Sequence, residues 1–131
     1  MKKPKIMVVD DNVELCTSVA NFLRNRLDCD VVEKFSSPEA MAVLDADTVD
    51  VLIQDLQMPL VDGSTVIKRA KERNPDVTAV LITGLSAPQK IRDMESLNVI
   101  YLPKPFEMMG LLTIVQRELV GKGIAVIRKP A

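Results

Sequence analysis

Five short apolar segments alternate with segments of helical periodicity along the chain, and this alternation restricts the fold more than any other feature of the sequence. We interpret the apolar segments as strands: Ile6–Val9, Val31–Phe35, Val49–Gln54, Val77–Ile82 and Val99–Leu102. Near-continuous apolar strands separated by helices are typical of a parallel sheet that is covered on both faces. We therefore predict an α/β domain with a doubly wound, five-stranded parallel sheet.

Helix signals fall between these strands. Asn12 is suited to cap a first helix, which carries an apolar stripe formed by Val13, Cys16, Ala20, Leu23 and Leu27. Ser37 is predicted to cap a second helix, with Pro38 at its first helical position. Three further helices are predicted over Ser64–Arg73, Pro88–Leu97 and Glu107–Val120, the last one stopped by Gly121.

Composition excludes several classes of protein. The chain has 131 residues, 47% of them apolar and 27% charged, which suits one globular domain. The net charge is −1 and no basic stripe with interleaved aromatic residues occurs, so nucleic acid binding is not expected. No apolar run approaches the ~20 residues that a membrane span needs, and no signal-peptide pattern is present. We therefore expect a cytoplasmic protein.

The chain contains no histidine. This excludes a histidine base, a histidine-ligated metal and a phosphohistidine within the chain itself. Cys16 and Cys29 do not have the spacing of a metal or redox motif. Any chemistry must therefore come from carboxylates, hydroxyls, lysine, cysteine or a bound ion.

Polar side chains follow four of the five predicted strands. Asp10 and Asp11 follow the first strand, Asp55 the third and Thr83 the fourth, and Lys104 comes just after the fifth. Each of them taken alone is compatible with a capping, turn or surface role. Ligands of doubly wound sheets bind at the carboxyl ends of the strands, where these five residues are expected to meet.

Three carboxylates at one place must take up protons or bind a cation, because two of them ~4 Å apart repel by roughly 4 kcal/mol at an effective dielectric constant of ~20. Oxygen ligands without histidine or cysteine favour Mg²⁺ or Mn²⁺. Magnesium commonly accepts phosphate oxygens, and a carboxylate can act as the nucleophile that forms an acyl phosphate. The predicted site therefore indicates phosphoryl chemistry.

Four motifs in their order along the chain resemble the receiver domain of bacterial two-component response regulators. They are "VVDDN" at 8–12, "DLQMPLVDG" at 55–63, "ITG" at 82–84 and "YLPKPF" at 101–106. The resemblance implies a flavodoxin-like (βα)5 fold with strand order 2-1-3-4-5. It also implies a receiver domain over residues 1–121, with residues 122–131 as a tail or the start of a linker.

The resemblance assigns roles to the polar residues. Asp55 resembles the phosphoacceptor, which takes its phosphoryl group from the phosphohistidine of a sensor histidine kinase or phosphotransfer protein. Asp11, Asp55 and the backbone carbonyl of Gln57 correspond to direct Mg²⁺ ligands, and Asp10 corresponds to a ligand acting through water. Lys104 corresponds to the residue that contacts the phosphoryl oxygens.

The resemblance also implies a switch. Thr83 is expected to bond a phosphoryl oxygen and Tyr101 to turn inward after it, which changes an interaction face for a downstream output domain or protein. The Lys104–Pro105 peptide is expected to be cis. On this interpretation the chain is a signalling phosphoprotein of a phosphorelay and not an enzyme, with no other cofactor and no membrane contact.

Other classes of function stay open at this point. A receiver-like domain can serve as a docking module that needs no phosphoryl group. A Mg²⁺-dependent phosphohydrolase of the haloacid dehalogenase kind needs a D-x-D pair after the first strand, whereas Asp10 and Asp11 are adjacent. A flavin-binding module is disfavoured because the chain has no glycine-rich phosphate loop.

Overall fold

The computed structural model describes residues 3–56, 63–84 and 97–124. The elements in these ranges are β1 (Lys5–Val9), α1 (Val13–Arg26), β2 (Asp30–Lys34), α2 (Ser37–Ala46), β3 (Val51–Asp55), α3 (Gly63–Arg73), β4 (Thr78–Thr83), β5 (Ile100–Pro103) and α4 (Met108–Gly121). The predicted helix Pro88–Leu97 lies outside the described residues except for Leu97. Among the helices that the structure describes, none has the length and apolar character needed to cross a membrane.

The five strands form one parallel sheet in the order β2-β1-β3-β4-β5. This confirms the predicted α/β fold and its strand order. Pro103 is the last residue of the edge strand β5, where its missing N–H group costs no ladder hydrogen bond.

The sheet separates two apolar cores, because successive side chains of a strand point to opposite faces. Ile6 and Val8 of β1 lie in the α1/α4 core, which contains the buried residues of helices α1 and α4. Met7 and Val9 lie in the α2/α3 core on the other face. Each fully buried side chain of this size contributes roughly 1.5–3 kcal/mol to stability.

The start of α1 confirms one prediction and corrects another. The Asn12 side chain accepts a hydrogen bond from the Leu15 N–H at 3.1 Å and caps the helix as predicted. Val13, by contrast, belongs to the predicted apolar stripe but is 52% exposed, so it is not part of the core. Val13 lies in the first turn, past the end of β1, where the sheet no longer offers an apolar surface.

The start of α2 differs from the prediction by one residue. Ser36, not Ser37, is the N-cap, and its Oγ accepts from the Glu39 N–H at 3.3 Å while it donates to the Glu39 carboxylate at 2.9 Å. Ser36 and Glu39 hold the N-cap and N3 positions, where a serine and a glutamate are favoured at a helix start. Ser37 is fully buried as the first helical residue, so Pro38 takes the second helical position.

The end of α4 lies further along the chain than predicted. Gly121 is helical, and Gly123, with φ +76°, is the residue that adopts the left-handed conformation. The Gly123 N–H donates to the Val120 carbonyl at 2.9 Å and the Ile124 N–H to the Leu119 carbonyl at 3.0 Å. These two bonds define a Schellman motif, and Ile124 packs against the α1/α4 core.

The two glycines are expected to respond oppositely to alanine. Gly123→Ala should lower the free energy of unfolding by about 1 kcal/mol, because a Cβ atom disfavours positive φ. Gly121→Ala should raise it by up to about 1 kcal/mol, since alanine is the better helix former and no atom lies within 4 Å of the added Cβ. Urea denaturation of both variants measures this, and equal effects would contradict the assigned helix end.

Candidate functional site

The register between β1 and β3 brings Asp10 and Asp55 together. Val9 pairs with Gln54 across the two strands. Asp10 and Asp55 are the next residues along the chain, and by alternation both side chains lie on the α1/α4 side of the sheet. Both carboxylates are buried, with exposures of 2% and 4%. Neighbouring strands lie about 4.8 Å apart, which accounts for the proximity of the two acids.

Asp11 completes a cluster of three carboxylates. One oxygen each from Asp10, Asp11 and Asp55 lies within 4.8 Å of the other two. Asp10 is held by the Asn12 N–H, which donates to its Oδ1 at 2.9 Å, whereas Asp11 is exposed. The structure thus brings the three predicted acidic residues to one point at the carboxyl edge of the sheet.

Asp10 holds its proton more tightly than a free aspartic acid does. Burial raises the pKa of Asp10 from 3.8 to about 6, and the neighbouring charge of Asp55 acts in the same direction. The hydrogen bond from the Asn12 N–H partly opposes this rise in pKa because it favours the carboxylate form. Ionising Asp10 therefore costs free energy unless a cation shares the site.

Lys104 contributes positive charge to the site. Its Nζ atom lies 3.4 Å from Asp55 Oδ2, and its main-chain N–H donates to the Thr83 carbonyl at 2.8 Å. The peptide bond between Lys104 and Pro105 is cis, as the resemblance implied. The end of β4 therefore anchors the lysine backbone while the lysine side chain reaches Asp55.

Thr83 and Tyr101 lie on the opposite face of the sheet from the Asp55 carboxylate. Thr83 is buried and its hydroxyl donates to the Gly84 carbonyl at 3.0 Å. Tyr101 is half-buried and packs against the α2/α3 core. Because Thr83 pairs with Pro103, two residues beyond Tyr101, both side chains face the same side of neighbouring strands. Gln57, the remaining predicted ligand, lies outside the described residues.

The donor set of the acidic cluster fits a hard divalent cation. Magnesium binds oxygen at 2.0–2.1 Å, so oxygens on opposite sides of one ion are about 4.2 Å apart. Carboxylate oxygens within 4.8 Å of one another reach that geometry with small side-chain rotations. Mg²⁺ or Mn²⁺ would also offset negative charge, since the described residues of the site supply three carboxylates and, from Lys104, one positive charge.

Sequence reasoning missed Gln54, which directly precedes Asp55. It is fully buried, and its Nε2 donates to the Asp55 main-chain carbonyl at 2.9 Å. The available signal was an amide side chain inside the otherwise apolar strand segment "VLIQ". Glutamine in the middle of a buried strand is unusual unless it has a polar partner.

Comparison with known proteins agrees with this geometry. Residues 6–116 match the response regulator receiver domain family. The transcriptional regulatory protein CpxR of Klebsiella pneumoniae is 31% identical over 95% of this chain and 50% of its own length. The DNA-binding transcriptional regulator NtrC of Salmonella typhimurium is 29% identical over 91% of this chain and 25% of its own length. The chain thus spans half or less of these two relatives.

Solved structures support the fold. A CheY-like response regulator receiver domain protein from Methanospirillum hungatei superposes with a TM-score of 0.86. The alignment covers 93% of this chain and 98% of that one, at 18% sequence identity. At this identity the likeness concerns the fold alone.

The raised pKa of Asp10 predicts an unusual dependence of stability on pH. A group whose pKa is higher in the folded state contributes stability at low pH, and that contribution is lost as the pH rises through the folded value, about 6 for Asp10. Between pH 5 and 7.5 this loss amounts to about 1 kcal/mol in protein freed of divalent ions.

Asp10→Asn keeps the acceptor for the Asn12 N–H but does not titrate, so it isolates the contribution of Asp10. Thermal melts with chelator at both pH values measure the difference between wild type and variant. We expect the variant to be the more stable protein at pH 7.5, with a smaller advantage at pH 5. A constant difference across the range would contradict the raised pKa.

Proposed function

The chain belongs to the response regulator receiver domain family, and from this premise we propose that Asp55 accepts a phosphoryl group in a Mg²⁺-dependent reaction. One observation carries the proposal: the buried Asp55 carboxylate clusters with two further acids, and the Lys104 Nζ atom lies 3.4 Å from its Oδ2. The three acids supply a cation site, and the lysine supplies a fixed positive charge next to Asp55.

In the proposed transfer a carboxylate oxygen of Asp55 attacks the phosphorus of a phosphohistidine and the P–N bond breaks. The electron pair of that bond stays on the imidazole nitrogen, which takes up a proton from water. The product is an acyl phosphate on Asp55. Because these 131 residues contain no histidine, the donor histidine lies outside them, and we propose that it belongs to a sensor histidine kinase or phosphotransfer protein.

Asp10, Asp11 and Asp55 would hold the Mg²⁺ ion, and the Gln57 carbonyl is a further proposed ligand. The bound ion would neutralise charge on the phosphoryl oxygens as they approach the acids. Lys104, whose backbone is held by the Thr83 carbonyl, would neutralise further charge on the phosphoryl oxygens. The positive charges of the ion and of Lys104 would together allow a site with three acids to accept an anionic phosphoryl group.

Phosphorylation of Asp55 would then change the hydrogen bond of Thr83 and the position of Tyr101. The new group adds negative charge and three acceptor oxygens at Asp55. The Thr83 hydroxyl donates to the Gly84 carbonyl in this structure. Thr83 ends β4 one residue past the partner of Asp55, so we propose that its side chain turns around the strand end to donate to one of those oxygens. Its movement frees space on the face that it shares with Tyr101, so the surface around β4, β5 and α4 changes shape.

That surface would contact a downstream output domain or protein. NtrC and CpxR are transcriptional regulators by name, and this chain covers a quarter and a half of their lengths. We therefore propose that residues 1–121 are the receiver domain and residues 122–131 a tail or the start of a linker. Direct contact with nucleic acid is not part of the proposed role of this domain.

Phosphorylation of Asp55 can be tested by intact-mass measurement. Incubation with acetyl phosphate and Mg²⁺ should add one phosphoryl group to the wild type and none to Asp55→Asn, because the amide is not a nucleophile. Asp45→Asn is the matched control, since Asp45 is an exposed acid on α2 that pairs with Arg69 away from the site. This control should gain the group like the wild type.

Two results would contradict the proposal. Wild-type protein that gains no phosphoryl group from acetyl phosphate or from a phosphorylated histidine donor would instead support a docking module that needs no phosphoryl group. A gain in Asp55→Asn equal to that of the wild type would place the modification on another residue.

The metal site makes a separate prediction. Asp11→Asn should weaken Mg²⁺ binding by at least about tenfold, since a charged ligand is replaced by a neutral one. The melting temperature of the ion-free protein should stay equal or rise, because one like charge leaves the cluster. Isothermal titration calorimetry measures the first effect and a thermal melt the second. Unchanged affinity together with a lower melting temperature would show that Asp11 is only a structural cap.

A further inference from the structure

Gln54 combines a specific hydrogen bond with an unusual defect. Its side chain has 0% exposure, and its Nε2 donates to the Asp55 main-chain carbonyl at 2.9 Å. Its Oε1 atom has no hydrogen-bond partner among the residues that the structure describes. The hydrogen bond fixes which end of the amide faces Asp55, so the unpartnered atom is the carbonyl oxygen.

An unpartnered buried oxygen destabilises the folded state, and an apolar residue would avoid this defect. The strand neighbours of Gln54 are Val9 on β1 and Leu81 on β4, and both belong to the α2/α3 core. An apolar side chain at position 54 would therefore extend an apolar row. Packing gives no reason for an amide here, whereas a local conflict of this kind is expected at a functional position.

The amide acts on the peptide group that follows the phosphoacceptor. The Gln54 side chain holds the carbonyl of the peptide group between Asp55 and Leu56, and the Ile82 carbonyl accepts from its N–H at 2.9 Å. With both ends held, the backbone of Asp55 has little freedom to rotate. Its backbone angles set the direction in which the carboxylate leaves the strand, toward Asp10 and Lys104.

We propose that Gln54 is a positioning residue for Asp55. Its amide fixes the peptide group after Asp55 and thereby holds the carboxylate in line for attack on the phosphoryl donor, at the expense of a buried unpartnered oxygen. This inference rests on the proposed phosphoryl transfer to Asp55 and extends it to a residue outside the acidic cluster. Correct alignment of the reacting atoms is a large part of phosphoryl transfer catalysis.

Gln54→Met tests this role, because methionine has a similar length but neither a strong donor nor an unpartnered oxygen. We expect the phosphorylation rate at saturating acetyl phosphate and Mg²⁺ to fall about tenfold, which corresponds to about 1.4 kcal/mol in activation free energy. The acetyl phosphate concentration for half-maximal rate should stay unchanged, because Gln54 does not touch the donor. The melting temperature should be equal to or higher than that of the wild type.

Leu52→Val is the matched control. Leu52 is fully buried on the same strand and on the same face, two residues before Gln54, and it lies outside the acidic cluster. Its shortening should lower the melting temperature by leaving a small cavity, while the phosphorylation rate per folded molecule stays at the wild-type value. Gln54→Met should therefore slow phosphorylation without lowering the melting temperature, and Leu52→Val should lower the melting temperature without slowing phosphorylation.

The outcomes distinguish this inference from the proposed function. If the wild type is phosphorylated and Gln54→Met reacts at the same rate, the positioning role is wrong while phosphorylation of Asp55 stands. A lower melting temperature in Gln54→Met with an unchanged rate would show that Gln54 is structural, which also overturns the role. If the wild type gains no phosphoryl group, the proposed function fails and the positioning role fails with it.

Discussion

The repulsion between the buried carboxylates of Asp10 and Asp55 is the constraint on which the rest of the site depends. The register of β1 against β3 enforces it, because Val9 pairs with Gln54 and the next residue of each strand is an acid. Burial, with a smaller contribution from the Asp55 charge, raises the pKa of Asp10 to about 6, and a cation or a positive side chain nearby becomes favourable. Lys104 supplies one positive charge next to Asp55, and the spacing of the three carboxylates suits a divalent ion that would supply more.

Because side chains alternate along each strand, the acidic residues and the pair Thr83 and Tyr101 lie on different faces of the sheet. The acids extend the α1/α4 face, whereas Thr83 and Tyr101 lie on the α2/α3 face, with the ends of β3 and β4 between them. A charge added to Asp55 can therefore alter packing around Thr83 and Tyr101 across the ends of β3 and β4 alone. A sheet whose strands are buried on both faces transmits such a change because its interior is close-packed.

The same edge of the sheet holds the features that weaken the fold. Asp10 is a buried acid beside another acid, and Gln54 buries an oxygen without a partner among the described residues. Two apolar cores below this edge supply the stability that tolerates them. This distribution is typical of proteins in which function and stability make opposite demands on the same residues.

The sequence by itself determined the five strands, the Asn12 cap and the meeting of acids at one edge, because apolar periodicity, caps and strand ends are local patterns. It misplaced the cap at Ser37 and the helix stop at Gly121, and it passed over Gln54. Each of these depends on burial or on a bond between backbone and side chain, which local patterns do not specify. Only the tertiary structure, through the register of neighbouring strands, decided that Lys104 reaches Asp55 and how close the three acids lie.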